Sequence, residues 1–436
     1  MDEGEKLAHS QVPARHEMSQ NAPLSPAGDS PSGPLYRTLG GRCMKWGGWP
    51  PSGTLAGLYP PPAFRTVPMP PRLYLYHTLV AQFRIYLPEL RLTQLRTLCL
   101  LVLGTTLAQH VSLNRMAYAV PLSAHPLSTE RRFRRWFGNP RLQTEPIWQA
   151  MRRHLLTGPA HYRFVLDLTP MNAHRQVVCL GVVVGPRVLP LAVRCVPLRT
   201  TWELPLSQVW ATMVAAVAEQ VPPGSQVTVL VDRGLVGTGI ITPCTNAGWN
   251  MVVRLKGKDR SRVQLADGAE VGLAEWVAQH PTRWTGPVRM FKQAGWLTGW
   301  LTIWQEAGHP EPWVLFSTHP GGAARVRDYR KRMRIEATFQ DLKRRGFQLS
   351  ASCLEQPERI ERLWLVVSLA LWWMQRIGAR VIKDGQRALV DHPPARRMSW
   401  LKLGWWRLHR WLESARRGRL PLPFPLAPPI TPPGAG

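Results

Sequence analysis

The sequence predicts an α/β fold in which an α-helical N-terminal domain precedes a mixed sheet that carries a mostly β insertion. Three apolar, β-prone runs follow one another at 161–169, 176–184 and 189–198, and such a series is typical of consecutive strands. Helix and strand patterns then alternate from 202 to 256, as expected where helices connect the strands of one sheet. Before residue 159 the apolar residues recur mainly at helical spacing.

The first 70 residues are rich in Pro, Gly and Ser and show no sustained periodicity. We expect this segment to be disordered, because it offers too few apolar residues to build a core. Met44 and Met69 lie within it, and the ordered pattern begins only after them. We therefore expect the natural product to start at one of these two methionines.

Residues 71–158 are predicted to form helices with a DNA-binding role. The run LSTERRFRRWF at 127–137 joins a Ser/Thr start to a basic amphipathic stretch. A helix of this kind can enter a DNA groove or follow phosphates. A helical cap with a solvated basic face would give the same pattern, so both interpretations stay open.

The segment 159–256 is the predicted first part of the core. After the three strand runs, a helix over 202–220 leads to the almost wholly apolar run VTVLVD at 227–232, which is typical of a strand buried on both faces. A helix near 235–247 and the strand run WNMVVRLK at 249–256 complete the unit. This order is that of a ribonuclease H-like core.

The rest of the chain is predicted to interrupt, resume and close this core. Residues 257–312 form a β-rich insertion, and 313–380 form the second part of the core, beginning with the strand run WVLFST at Trp313 and including a long apolar helix from Pro357 to Ala379. Residues 381–436 form a basic C-terminal segment with a Pro-rich tail.

The balance of charges points to a polyanionic partner. Lys and Arg total 55 against 27 Asp and Glu, which gives a net charge of +28. The excess is spread over 131–135, 325–345 and 396–419, as on a folded surface that binds nucleic acid. A membrane-surface protein or a ribosome-associated protein would also be basic.

The cysteine and apolar patterns do not favour a zinc-binding, disulfide-linked, membrane-spanning or secreted protein. The six cysteines form no CxxC pair, so the sequence predicts neither a zinc site nor a disulfide framework and suits a reducing cytoplasm. The longest apolar runs, Leu98–Leu103 and Leu363–Met374, are shorter than the ~18 residues of a membrane-spanning helix. The N-terminus lacks the basic-then-apolar order of a signal peptide. We therefore expect no membrane partner.

One stretch, 328–346, places an acid among bases on a single helical face. Tyr329, Arg332, Glu336 and Lys343 are separated by 3, 4 and 7 positions, and these steps keep the side chains on one face at about 3.6 residues per turn. Gly346 is the predicted stop. A solvated, salt-bridged helix would show a similar pattern of charges.

Two further carboxylates lie on predicted strands. Asp167 interrupts an apolar strand, where an ionised carboxylate needs a metal or a cation as a partner. Asp232 ends the fourth strand run, at the edge where open α/β sheets place ligands. Together with Glu336 they would supply the oxygen ligands of a two-metal site for phosphodiester chemistry. Singly, each Asp would more often be a helix cap or a turn former.

The spacing Tyr329, Arg332, Glu336, Lys343 resembles the YREK signature of DDE transposases of the insertion-sequence-four family. FVLDLTP around Asp167 and VLVDRG around Asp232 resemble the first two motifs of that family. The resemblance covers about residues 100–380. It implies that Asp167, Asp232 and Glu336 are the catalytic metal ligands for two Mg²⁺ ions, for which Mn²⁺ can substitute.

The same resemblance implies a set of DNA contacts. Tyr329, Arg332 and Lys343 would bind phosphates near the transposon end. Trp313 would stack on a flipped base, and Arg254 and Lys256 correspond to basic positions that face DNA.

The implied activity is cut-and-paste DNA transposition, by metal-dependent cleavage and strand transfer at insertion-sequence ends. The implied partner is double-stranded DNA, both transposon ends and target, bound by a homodimer in the bacterial cytoplasm at the nucleoid. An inactive or domesticated DNA-binding relative and a ribonuclease H-like nuclease remain alternatives. The sequence of the inverted repeats and the target preference cannot be read from the chain.

Overall fold

The computed structural model describes residues 69–198, 205–235, 237–257, 261–292, 295–392 and 396–417. Residues 1–68 of the segment expected to be disordered (1–70) lie outside these ranges, as do residues 418–436, which include the Pro-rich tail. The fold is mixed α/β, with helices packed against a large sheet. Ten strands join that sheet in the order β3-β2-β1-β4-β5-β10-β9-β8-β6-β7. They are β1 (His161–Pro170), β2 (Arg175–Val184), β3 (Arg187–Pro197), β4 (Gln226–Val231), β5 (Asn250–Leu255), β6 (Arg262–Leu265), β7 (Glu270–Gly272), β8 (Arg283–Met290), β9 (Leu297–Trp304) and β10 (Trp313–Ser317).

In the described part of the chain five helices precede the sheet, in the region where apolar residues recur at helical spacing: α1 (Pro71–Tyr86), α2 (Leu92–Ala108), α3 (Leu113–Ala119), α4 (Pro126–Phe137) and α5 (Glu145–Leu155). Their apolar faces belong to the same hydrophobic core as the first strands of the sheet and the C-terminal helices. For example, the Trp405 indole donates to the carbonyl of Thr106 on α2 at 3.1 Å. The domain boundaries inside this shared core stay a prediction.

The first half of the sheet follows the predicted order of strands. β2 pairs antiparallel with β1 and β3, whereas β1, β4 and β5 run parallel. Parallel neighbours need a crossover, and α6 (Leu206–Ala218) and α7 (Thr238–Asn246) lie in the connections before β4 and before β5. β4 is buried at every position but its first, as its unbroken apolar sequence predicts.

The predicted β insertion is largely strand, with one short helix, α8 (Leu273–Gln279). Its strands do not form a sheet of their own, because β10 pairs antiparallel with β5 on one side and with β9 on the other. The insertion thus extends the core sheet. A second, smaller apolar cluster that includes Val263, Leu301 and Phe316 packs this half.

The stretch predicted as one helix changes its hydrogen bonding three times. It consists of α9 (Ala323–Arg330), a 3₁₀ turn (Lys331–Met333), α10 (Arg334–Gln340) and a π turn (Asp341–Arg345). The helical path ends at Gly346, as predicted, although its φ of −133° is not left-handed. Glycine is required there by space, since a Cβ would lie 2.2 Å from the carbonyl oxygen of Asp341.

Two long helices complete the described chain, α11 (Pro357–Lys383) and α12 (Trp400–Arg416). α11 extends beyond the predicted end at Ala379 and contacts α12, β3 and α2. Its contact with the stretch before Gly346 includes an edge-to-face pair of Phe339 and Trp364 at 6.1 Å.

Among the described helices, α11 is by itself long and apolar enough to cross a membrane, and α2 with α3 would add a second candidate only if their 94° bend belongs to one span. The most apolar window of α11 is 78% buried within the protein. A core helix passes the same test of length and composition, so this finding leaves the expectation of no membrane partner as a prediction.

The contact between α11 and α12 depends on two glycines. A Cβ at Gly404 would lie 2.1 Å from the Met374 carbonyl oxygen, and one at Gly378 would lie 1.9 Å from that of Trp400. We expect Gly404→Ala to lower the free energy of unfolding by about 1–3 kcal/mol through overpacking. Urea denaturation measures this. In an open helix the same change raises stability by roughly 0.5–1 kcal/mol, so a stabilised variant would contradict the close contact.

Candidate active site

Asp167 lies near the middle of the sheet, on β1, with strands on both sides. Its position pairs with Cys179 on β2, and its side chain is 17% exposed. Burial raises the pKa of Asp167 to about 6, although the Arg332 charge and the backbone N–H of Leu168, which donates to Asp167 Oδ1 at 2.8 Å, act in the opposite direction. The strand therefore holds a carboxylate that needs a cationic partner.

Asp232 follows directly after β4 and is 31% exposed. Leu166 on β1 pairs in parallel with Val231 on β4, so the next residue on each strand brings Asp167 and Asp232 side by side at the carboxyl end of β4. The sequence placed both acids on strands, and the register of the sheet now makes them neighbours. The Tyr329 hydroxyl donates to Asp232 Oδ1 at 3.1 Å and orients this carboxylate.

Arg332 connects the two aspartates to Glu336. Its guanidinium lies 3.1 Å from Asp167 Oδ2 through Nη1, and 3.7 Å from Asp232 Oδ1 and 2.7 Å from Glu336 Oε1 through Nη2. The Arg332 side chain is only 7% exposed. Burial opposes its charge, but Tyr329 and the three carboxylates raise the pKa of Arg332 overall. One buried cation thus forms ion pairs with all three predicted catalytic acids.

Trp313 and Tyr329 pack against each other next to Asp232. Tyr329 is buried and meets the Trp313 ring edge-to-face at 5.2 Å. Trp313 is only 3% exposed, and the guanidinium of Arg254 lies 5.7 Å from its ring centre. The stacking of Trp313 on a flipped base stays a prediction, and it would require this buried ring to become exposed.

Two further predicted DNA contacts, Lys256 and Lys343, lie on other elements than the three acids. Lys256 is exposed just after β5. Lys343 is half-buried in the π turn, where burial and the Arg344 charge lower its pKa. Sequence reasoning missed that Arg332 reaches both aspartates and that Tyr329 bonds Asp232. The helical spacing indicates only the contact within the helix, between Arg332 and Glu336.

The donor set fits a hard divalent cation, since it consists of carboxylate oxygens. Three carboxylates against one guanidinium also leave a formal excess of two negative charges when all are ionised. Over the described ranges, no three His, Cys, Asp or Glu side chains lie close enough together to hold a metal ion. The guanidinium is larger than such an ion and sets the present spacing. The five cysteines described by the structure are free thiols.

Comparison with known proteins finds a matching family and similar solved structures. Residues 207–373 match the family described as "Transposase DDE domain"; this region includes Asp232 and Glu336 and begins after Asp167. None of the curated proteins compared with the chain matches it. A cryo-EM structure of the piggyBac transposase synaptic complex with hairpin DNA is similar with a TM-score of 0.39 and 10% identity, covering 81% of this chain and 83% of that chain.

We expect Arg332→Gln to lower the free energy of unfolding by about 3 kcal/mol at neutral pH, because three converging carboxylates would lose their buried cation. At a pH near 4 the loss should shrink, since the pKa of Asp167 would rise further without Arg332 and a protonated carboxyl needs no partner. Urea denaturation at the two pH values measures both effects.

Arg330→Gln is the matched control, because Arg330 forms an exposed ion pair with Glu306, of a kind that contributes less than about 1 kcal/mol. Equal losses in the two variants, or a loss for Arg332→Gln that does not change with pH, would contradict the role of Arg332 as the shared cation.

Proposed function

We propose that this chain is a DDE transposase whose catalytic residues are Asp167, Asp232 and Glu336. The observation that carries the proposal is the meeting of three carboxylates, from β1, from the end of β4 and from α10, on one buried guanidinium. Acids from elements so distant in sequence converge at a cost in charge repulsion and desolvation. A protein retains such an arrangement where the acids have a common task.

Two further observations support the transposase class. The match to the transposase DDE domain includes two of the three acids, and Tyr329, Arg332, Glu336 and Lys343 have the spacing of the YREK signature. The strand order β3-β2-β1-β4-β5, with β2 antiparallel and β1, β4 and β5 parallel, also supports the proposal of a ribonuclease H-like core. We propose membership of the insertion-sequence-four family on the signature alone.

The proposed cofactor is Mg²⁺, for which Mn²⁺ can substitute. When bound, it would supply Lewis-acid chemistry that activates an attacking oxygen and stabilises the leaving oxygen of a phosphodiester. Asp167, Asp232 and Glu336 would hold it. The Tyr329 hydroxyl keeps Asp232 oriented, and Arg332 offsets one of the three negative charges in the absence of the cation.

The proposed substrate is double-stranded DNA at insertion-sequence ends, handled by two copies of the chain. A hydroxyl freed by cleavage would attack the opposite strand and later target DNA, and each of these steps is a phosphoryl transfer that one carboxylate cluster can perform. Arg254, Lys256 and Lys343 are the basic residues that would contact phosphates. The net charge of +28 favours a polyanionic partner.

The direct test is cleavage of a linear duplex that carries the DNA flanking this coding region, with Mg²⁺ present. We expect the wild-type protein to cut at the ends. Glu336→Gln should bind the duplex but cut it at least 10²-fold more slowly, roughly the effect of removing one electrostatic group from a catalytic centre.

Glu306→Gln provides the matched control, because Glu306 forms an ion pair with the exposed Arg330 outside the centre. This variant should cut at the wild-type rate. Binding without cutting by the wild-type protein would leave only the DNA-binding alternative, and cutting without strand joining would favour a nuclease.

Metal binding should be measurable without DNA. We expect Mg²⁺ or Mn²⁺ to raise the thermal unfolding midpoint of the wild-type protein. At a metal concentration ten times the dissociation constant, binding stabilises the folded state by about 1.4 kcal/mol. Asp232→Asn should abolish the increase, because it removes one of the three acids. Asp267→Asn, in the turn between β6 and β7, should keep it. An equal increase in both variants would place the metal elsewhere.

A further inference from the structure

A second set of charged side chains lies beside the candidate active site, around the buried carboxylate of Asp328. Arg163 Nε approaches Asp328 Oδ1 at 2.5 Å, Lys331 Nζ approaches the same oxygen at 3.2 Å, and Arg325 Nη1 approaches Oδ2 at 3.4 Å. We call these four residues the Asp328 cluster. Three cations share one carboxylate, so the cluster has a formal excess of two positive charges.

Among the described residues, Asp328 is the one carboxylate that pairs with Arg163, Arg325 and Lys331. Burial and the Arg163 charge lower the pKa of Lys331, and its bond to Asp328 offsets this only in part. The nearby His161 has its pKa lowered first by burial and then by Arg163. Arg325 Nε is buried without a hydrogen-bond partner among the residues that the structure describes. Like charges held together in this way would be stabilised by an external anion.

The cations remain accessible to such an anion. The side chains of Arg163 and Lys331 are each 27% exposed, whereas Asp328 is buried beneath them. A ligand that reaches the cluster from solvent would therefore meet nitrogen donors and not the carboxylate. The fork of Arg163 and the point charge of Lys331 are both suited to phosphate oxygens.

The fold places the cluster on the same side of the sheet as the catalytic acids. Arg163 and Asp167 are four positions apart on β1, so their side chains point to the same face, with about 13 Å of strand between them. Asp328 precedes Tyr329, whose hydroxyl bonds Asp232. One strand of a bound duplex would therefore lie over both the cluster and the catalytic acids.

We propose that the Asp328 cluster is a binding site for a backbone phosphate of the DNA substrate, near the phosphate that is cut. This proposal rests on the proposed function and adds a specific positioning contact to it. Such a contact would fix the register of the duplex over the catalytic acids without reading its sequence.

The experiment measures the affinity of the full chain for a duplex over a range of KCl concentrations, without divalent metal, by fluorescence anisotropy. Lys331→Ala is compared with Lys292→Ala. The two lysines are matched, because Lys292 also pairs with one carboxylate, that of Glu270, at 3.1 Å, but lies beyond β8 in the insertion. Urea denaturation of each variant shows that it is folded, and Lys331→Arg tests whether a cation alone suffices.

We expect Lys331→Ala to reduce the slope of log affinity against log salt concentration by about 0.9, the value of one lost phosphate contact. Arg163→Ala should do the same, whereas Lys292→Ala and Lys331→Arg should keep the wild-type slope. The phosphate site is wrong if all variants keep the wild-type slope, or if Lys331→Ala and Lys292→Ala reduce the slope equally. DNA binding by the chain would stand in either case. If the wild-type protein does not bind the duplex, the proposed function fails as well.

Discussion

The ion pairs of Arg332 with three carboxylates are the constraint on which the rest of the structure depends. Asp167, Asp232 and Glu336 come from separate elements, and two of them are mostly withdrawn from water, so their charges need a shared partner. Arg332 suits this role because a guanidinium stays charged when buried and offers donors in several directions. In the proposed catalytic cycle a metal ion would have to displace the Arg332 guanidinium from these acids.

The surrounding fold keeps those groups in place. Parallel pairing of β1 and β4 sets the two aspartates side by side, and the helical path from residue 323 brings Arg332 and Glu336 over them. That path is fastened to the sheet at its far end, where Arg187 at the start of β3 pairs with the buried Asp341 at 2.7 Å. At its near end Arg163 on β1 pairs with Asp328. Two buried carboxylates, Asp328 and Asp341, are therefore paired with arginines of the sheet on either side of the centre along this helical segment.

Much of this arrangement could be predicted from the sequence, because the signals were local. Unbroken apolar runs identified the strands, and the spacing of Tyr329, Arg332 and Glu336 put them on one helical face. The features that the sequence did not predict are determined by contacts between segments that are distant in sequence. Nothing in the local pattern shows that Trp313 is buried beneath Tyr329, that β10 joins the insertion to the core sheet, or that Asp328 collects three cations. Spacing also cannot indicate the 3₁₀ and π turns, which depend on packing.

X-ray diffraction from crystals grown with Mn²⁺ would test the central claim most directly, because the anomalous signal locates the ion without reference to activity. The account predicts an anomalous peak bounded by the carboxylates of Asp167, Asp232 and Glu336, with the Arg332 guanidinium displaced from at least one of them. Saturating Mn²⁺ with no peak there, and with Arg332 still bonded to all three acids, would contradict the account.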